Sequence, residues 1–128
     1  MKAQSHIVVK KFGGTSVGSV ERVEAVAERI LNDRQAGQSP IVVASAMAGE
    51  TNRLVGLAHE INPRYRGRAY DMLLASGEQV SISLLAMALE KRGVPSRPYS
   101  HTNWESKQTL FFQKHEFKVS MVISYWNL

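Results

Sequence analysis

Lys10-Lys11-Phe12-Gly13-Gly14-Thr15-Ser16-Val17 joins an apolar run, His6 to Val9, to an amphipathic segment that begins near Ser19. The order reads as strand, glycine turn, helix. Two adjacent glycines let the backbone approach a ligand closely and adopt positive φ, and the amides that follow can point at an anion near a helix N-terminus. Lys11 adds a positive charge beside that cradle. The spacing matches neither G-x-x-x-x-G-K-[ST] nor G-x-G-x-x-G. Taken alone, the pattern favours a tight strand-to-helix connection over an anion site.

The elements around this turn are readable from period. His6 to Val9 is a short β-branched run without alternation, the pattern of a strand buried on both faces. Val20, Val23, Val26, Ala27, Ile30 and Leu31 then recur at helical spacing, with Ser19 as N-cap and Gly37 as the stop. Pro40 introduces a second apolar run, Ile41 to Ala44, which ends in Ser45 and Ala46 before Gly49. Strand, helix, strand at this spacing makes a right-handed βαβ unit with parallel strands. Both glycine-containing turns then lie at the carboxyl ends of neighbouring strands, where open α/β sheets bind ligands. Thr51 to Ile61 is helical in period and is stopped by Asn62-Pro63. A basic connection, Arg64 to Arg68, reads as solvated surface. Tyr70 to Ala75 is short and apolar, Ser76-Gly77 breaks it, and Glu78 opens a long buried helix to Arg92, capped by Gly93. Met72 and Met87 read as core filler.

The 128 residues, 44% of them hydrophobic, suffice for one domain with a core and are too few for two comfortable ones. Sixteen Lys plus Arg against 11 Asp plus Glu give a net charge of +5, suited to anionic small molecules. The charge is dispersed, without the continuous basic stripe and interleaved aromatics that nucleic-acid binding prefers, so no nucleic-acid partner is expected. Cysteine is absent, which excludes a disulfide framework and a thiolate zinc site. The N-terminus lacks an apolar signal core and no uninterrupted apolar stretch approaches the length of a membrane span, so no membrane partner and a cytoplasmic location are expected.

After Arg97 glycine disappears, and Tyr99, Trp104, Phe111, Phe112, Phe117, Tyr125 and Trp126 crowd in. The alternation from Phe117 to Tyr125 suits one half-buried strand, able to cover a sheet edge. His101 and His115 are isolated, which fits surface or packing roles rather than metal ligation.

Three motifs in order carry a resemblance. Val8 to Val17 resembles the opening V-x-K-F-G-G-T-S-V of the aspartate kinases, in the amino-acid kinase superfamily. Val42 to Asn52 resembles their strand and S-A-M-x-x-x-T-N loop, and Leu74 to Ser81 their S-G-E-Q segment. The likeness covers roughly Ile7 to Arg97 and implies part of an amino-acid kinase fold: α/β, with a mainly parallel sheet and helices on both faces. It implies transfer of the γ-phosphoryl group of MgATP to the β-carboxylate of L-aspartate, the first step toward lysine, threonine and methionine. Lys11, Gly13, Gly14, Thr15 and Ser16 would hold ATP phosphates, with Lys11 catalytic. Ser45, Ala46, Thr51 and Glu78 would face the aspartate, Glu78 meeting its ammonium or orienting Lys11. Mg2+ would arrive with the nucleotide, without protein metal ligands of its own. The chemistry suits these residues, because an ionised carboxylate needs no general base and phosphoryl transfer needs mainly positioning and charge neutralisation.

Residues 98–128 do not resemble the family continuation, so the chain divides into 1–97, the N-terminal portion of the kinase domain, and a divergent tail. A truncated or frame-shifted product of low activity is the expectation. Open sheet edges and uncovered helix faces favour self-association and a homo-oligomer. The alternative is a non-catalytic module that binds aspartate or phosphate and pairs with another chain.

Overall fold

The computed structural model describes residues 6–99 and, as backbone, 122–124. His101, Trp104 and His115, and the rest of the tail beyond residue 99 other than 122–124, lie outside the described part. The elements are β1 (His6–Phe12), α1 (Val20–Gln35), β2 (Gln38–Ala44), α2 (Glu50–Ile61), α3 (Arg68–Glu90), β3 (Arg97–Tyr99) and β4 (Val122–Ser124).

The expected βαβ unit is present. β1 and β2 pair in parallel, with His6 opposite Gln38 and Phe12 opposite Ala44. Between them, α1 starts where the Ser19 side chain accepts a hydrogen bond from the Arg22 amide, and Gly37 ends the turn at φ 84°. Its buried positions, Val23, Val26, Ala27 and Ile30, form the apolar stripe read from the period.

The sheet runs β1-β2-β4-β3. β4 pairs antiparallel with both β2 and β3. The tail strand therefore lies inside the sheet, covering the edge of β2 and joining β3 to it. The first pair is parallel and the next two are antiparallel.

Alternation along β1 and β2 corrects the expectation of strands buried on both faces. Phe12, Pro40, Val42 and Ala44 are buried, whereas Ile7 and Val9 are 67% and 66% exposed. Phe12, Val42 and Ala44 join Val23, Val26 and Ile30 of α1 and Ile82, Leu85 and Leu89 of α3 in one core. The fold is α/β, and the described helices cover one face of the β1–β2 pair. The second helical layer expected on the opposite face does not come from the described residues. Each fully buried Leu or Ile here contributes about 1.5–3 kcal/mol.

The break expected at Ser76-Gly77 is absent. Helix α3 runs unbroken through 23 residues; within it Ser76 Oγ donates to the Leu73 carbonyl 2.6 Å away, and Gly77 packs close to Ala46 and Leu54. Continuity also makes α3 long and apolar enough to cross a membrane by length and composition, with a mean hydropathy of 1.5 over its best window. Its buried residues, among them Ile82, Leu85 and Leu89, instead pack in the core against α1 and the sheet. Gly93, at φ 72°, terminates it, with the Val94 amide donating to the Leu89 carbonyl.

Candidate functional site

Two loops meet at the carboxyl ends of β1 and β2. The parallel register brings Phe12 opposite Ala44, and the ladder continues past both strands as the Ser45 amide donates to the Phe12 carbonyl at 3.1 Å. The Ala48 amide then donates to the Gly14 carbonyl at 3.0 Å, and the Ser16 amide to the Gly13 carbonyl at 3.0 Å. Phe12 and Val17, both buried, pin the two ends of the glycine turn to the core.

The two glycines serve different purposes. Neither adopts positive φ, contrary to the backbone freedom expected of them. A Cβ on Gly14 would sit 2.8 Å from the Ala46 carbonyl oxygen, whereas one on Gly13 would meet nothing within 4 Å. Gly14 is thus required by the close approach of two backbones. Among the described residues, the amides of Gly13, Gly14 and Thr15 donate to no backbone carbonyl. Consecutive unpartnered amides in a partly exposed turn are suited to an anion.

Strand alternation separates the adjacent lysines. Lys10 faces the covered side and its ammonium lies 2.5 Å from the Asp33 carboxylate of α1, both side chains largely buried. Lys11 points to the open side and is exposed. Among the described residues it forms no ion pair, so its charge is available to a ligand.

Helices α2 and α3 close the other side. Gly49, at φ 80°, turns the chain into α2. Thr51 is half-buried in its first turn, next to Glu50. Both carboxylate oxygens of Glu50 accept from Arg53, at 2.8 and 2.9 Å, and these bonds hold its carboxyl below the usual carboxylate value. Glu78 is not at a helix start: it sits in the middle of α3, half-buried, so no N-terminal helix charge accounts for it. No ion pair joins it to Lys11 among the described residues. The preceding residue, Gly77, abuts the loop, where a Cβ would lie 3.2 Å from Ala46 Cβ and 3.3 Å from Leu54 Cδ1. Fully buried Ser81 donates to the Ser45 carbonyl at 2.7 Å.

Gly13, Gly14, Ser45 and Ala46 are therefore joined through backbone contacts, and the Glu78 turn of α3 is tied to them by Gly77 and Ser81. Lys11 precedes the turn and Thr15 and Ser16 lie in it, and among the described residues no hydrogen bond or ion pair joins them to Ser45, Thr51 or Glu78. Read from sequence, Gly77 has a helix-breaking role only, and Ser81 has none. A hydroxyl at a core-facing position of an apolar helix was the available signal for Ser81, and nothing comparable marked Gly77.

A family profile described as the amino acid kinase family matches residues 6–120. The chain belongs to the amino acid kinase family. It is 55% identical over 94 residues to the aspartokinase of Pseudomonas aeruginosa, an alignment covering 73% of this chain and 23% of that protein. It is 49% identical over 100 residues to the aspartokinase of Geobacillus stearothermophilus, covering 78% and 24%. The crystal structure of aspartate kinase from Synechocystis superposes with a TM-score of 0.65 at 55% identity, covering 67% of this chain and 15% of that one. The chain thus spans about a quarter of the length of the curated relatives it matches.

A groove of about 170 Å³ lies between α1 and α3, lined by Val20, Val23, Glu24, Leu84, Met87, Ala88 and Lys91. No group of three or more potential metal ligands occurs among the described residues. In the Arg64 to Arg68 connection, Arg66 donates to the Tyr65 carbonyl at 2.7 Å, lies 3.5 Å from His59 Nε2 of α2 and stacks 5.0 Å from the Tyr70 ring centre of α3.

Proposed function

We propose that this chain carries the phosphate- and aspartate-facing part of an aspartate kinase site. The reaction is ATP plus L-aspartate to ADP plus 4-phospho-L-aspartate, the entry to lysine, threonine and methionine synthesis. The observation that carries this reading is the glycine turn with three unpartnered amides, packed directly on the 45–48 loop. Identity of 55% to an aspartokinase supports it.

In the reaction, an aspartate β-carboxylate oxygen forms a bond to the γ-phosphorus as the bond to the β,γ-bridging oxygen breaks. Lys11 and the amides of Gly13, Gly14 and Thr15 stabilise charge on phosphate oxygens, with the Ser16 hydroxyl beside them. Ser45, Ala46 and Thr51 offer hydroxyls and amides to the substrate's carboxylates, and Glu78 supplies a negative charge for its ammonium. Mg2+, when bound with the nucleotide, neutralises phosphate charge. The residues present fit the phosphate end of ATP, and none of them is assigned to the nucleoside. Low turnover by this chain alone follows, together with a cytoplasmic location and self-association through uncovered apolar surface.

The same shortage of nucleoside contacts favours a second reading, a binding module for aspartate or phosphate that pairs with another chain. We place its boundary at residue 97, inside the 6–120 span that the family profile matches. Calorimetric titration of the folded chain with MgATP and with L-aspartate separates the two. Saturable binding of both, with turnover, supports the kinase. Aspartate binding alone supports the module, and binding of neither refutes both.

A further inference from the structure

A serine at a fully buried helical position costs desolvation unless its hydroxyl is paired, and in a helix the cheap partner is a carbonyl one turn back. Ser76 takes that option, bonding only the Leu73 carbonyl of its own helix. Ser81 does not. Its Oγ lies 3.1 Å from the local Glu78 carbonyl and 2.7 Å from the Ser45 carbonyl, which is 36 positions away on the β2–α2 loop. A hydroxyl has one proton, and 2.7 Å is the ordinary length of a good O–H···O bond. The proton therefore goes to Ser45.

The peptide that Ser81 grips is the one that matters for a ligand. Its carbonyl belongs to Ser45 and its amide to Ala46, and in a trans peptide the two point in opposite directions. Holding the carbonyl toward α3 aims the Ala46 amide away from α3, and that amide donates to no backbone carbonyl among the described residues. A hydrogen bond accepted by the carbonyl also polarises the amide into a better donor. Gly77, four residues before Ser81 and on the same helix face, lets α3 come close enough for this contact, since its missing Cβ makes room for Ala46.

We propose that Ser81 is a positioning residue: through its bond to the Ser45 carbonyl it orients the Ala46 amide as a donor to a carboxylate of the amino-acid substrate. This rests on the aspartate kinase reading for the identity of the ligand, and on geometry alone for the hydrogen bond.

The test uses the full 128-residue chain and two readouts on Ser81→Ala, with Ser76→Ala as the control that removes a hydroxyl from the same helix. In the carbonyl NMR spectrum, Ser81→Ala moves the Ser45 carbonyl resonance upfield, and Ser76→Ala leaves it in place. By calorimetry, Ser81→Ala weakens L-aspartate binding about tenfold and leaves MgATP binding unchanged, a loss comparable to one unsatisfied neutral hydrogen bond. Ser81→Thr, which keeps the hydroxyl, restores both. If Ser81→Ala does not fold, Ser81→Cys, of similar shape and weaker donor strength, gives the same displacements at smaller amplitude. An unmoved Ser45 carbonyl, or unchanged aspartate affinity in a folded variant, overturns the proposal. An unaltered chain that binds no aspartate refutes the kinase reading instead, and the carbonyl shift still decides whether Ser81 holds the peptide.

Discussion

Replacing Gly14 with alanine places a Cβ 2.8 Å from the Ala46 carbonyl oxygen, against ordinary contact at 3.4 Å or more. One of the two backbones must then yield by about 0.6 Å, the difference between those distances. Neither is free to do so. The Ala48 amide ties the loop to the Gly14 carbonyl, and Ser81 holds the Ser45 carbonyl. Overpacking of this kind costs about 1–3 kcal/mol. Because Gly14 has no positive φ, alanine also restricts the unfolded chain, returning about 0.4–1 kcal/mol. The net is a loss of roughly 1–2 kcal/mol, which for a domain of this size lowers Tm by about 4–15 °C. Gly13→Ala is the matched control: with nothing within 4 Å, only the unfolded-state effect remains, and Tm is unchanged or slightly raised. Thermal unfolding followed by circular dichroism compares the two. Equal Tm values for both variants would refute the assignment of Gly14 to a close backbone approach.

Lys10→Ala removes one partner of a largely buried ion pair and destabilises the fold by about 1–3 kcal/mol in denaturant titration, whereas exposed Lys11→Ala leaves stability unchanged and abolishes measurable phosphate binding. Equal stability losses in the two variants would overturn the division of labour between them. Hydrogen bonds from Arg92 and Lys91 lower the pKa of Glu24, so the contribution of this carboxylate is complete above its ordinary value of 4.5 and is lost as pH falls through the depressed one. Tm against pH for the parent chain and Glu24→Gln should therefore converge in acid, and parallel curves would refute the linkage. Ile7→Thr with Val9→Thr, on the open sheet face, lowers self-association in sedimentation without lowering Tm; unaltered association would place the contact elsewhere.

The β1–α1–β2 unit was legible because each signal in it is local. Apolar period, the Ser19 cap and the Gly37 stop act within a few residues of where they are read. The three motifs likewise brought Gly13, Gly14, Ser45, Ala46 and Glu78 into one neighbourhood. What was not legible depends on what lies across a contact. Ser76-Gly77 looked like a helix break, because a glycine that ends a helix and one that admits a neighbouring backbone are identical in sequence. Gly14 was expected to supply backbone freedom and supplies clearance instead. The run from Ile7 to Val9 suited burial on both faces, yet whether a second layer covers a strand is decided by distant residues. The antiparallel insertion of β4 has the same cause, since Val42 and Ile123 are paired across 81 positions.

That insertion sets an order of assembly. Among the described strands, β3 hydrogen-bonds only to β4, so it cannot enter the sheet until β4 has arrived on β2. The β1–α1–β2 unit closes over short chain separations and forms early, while the β2–β4 pairing waits on a long loop closure. Folding should thus pass through a species in which β2 presents a bare edge and the Arg97–Tyr99 segment is still exchanging its amides with water. In that interval the molecule is most exposed to pairing with a neighbour, so protein concentration during refolding, rather than final stability, governs its yield.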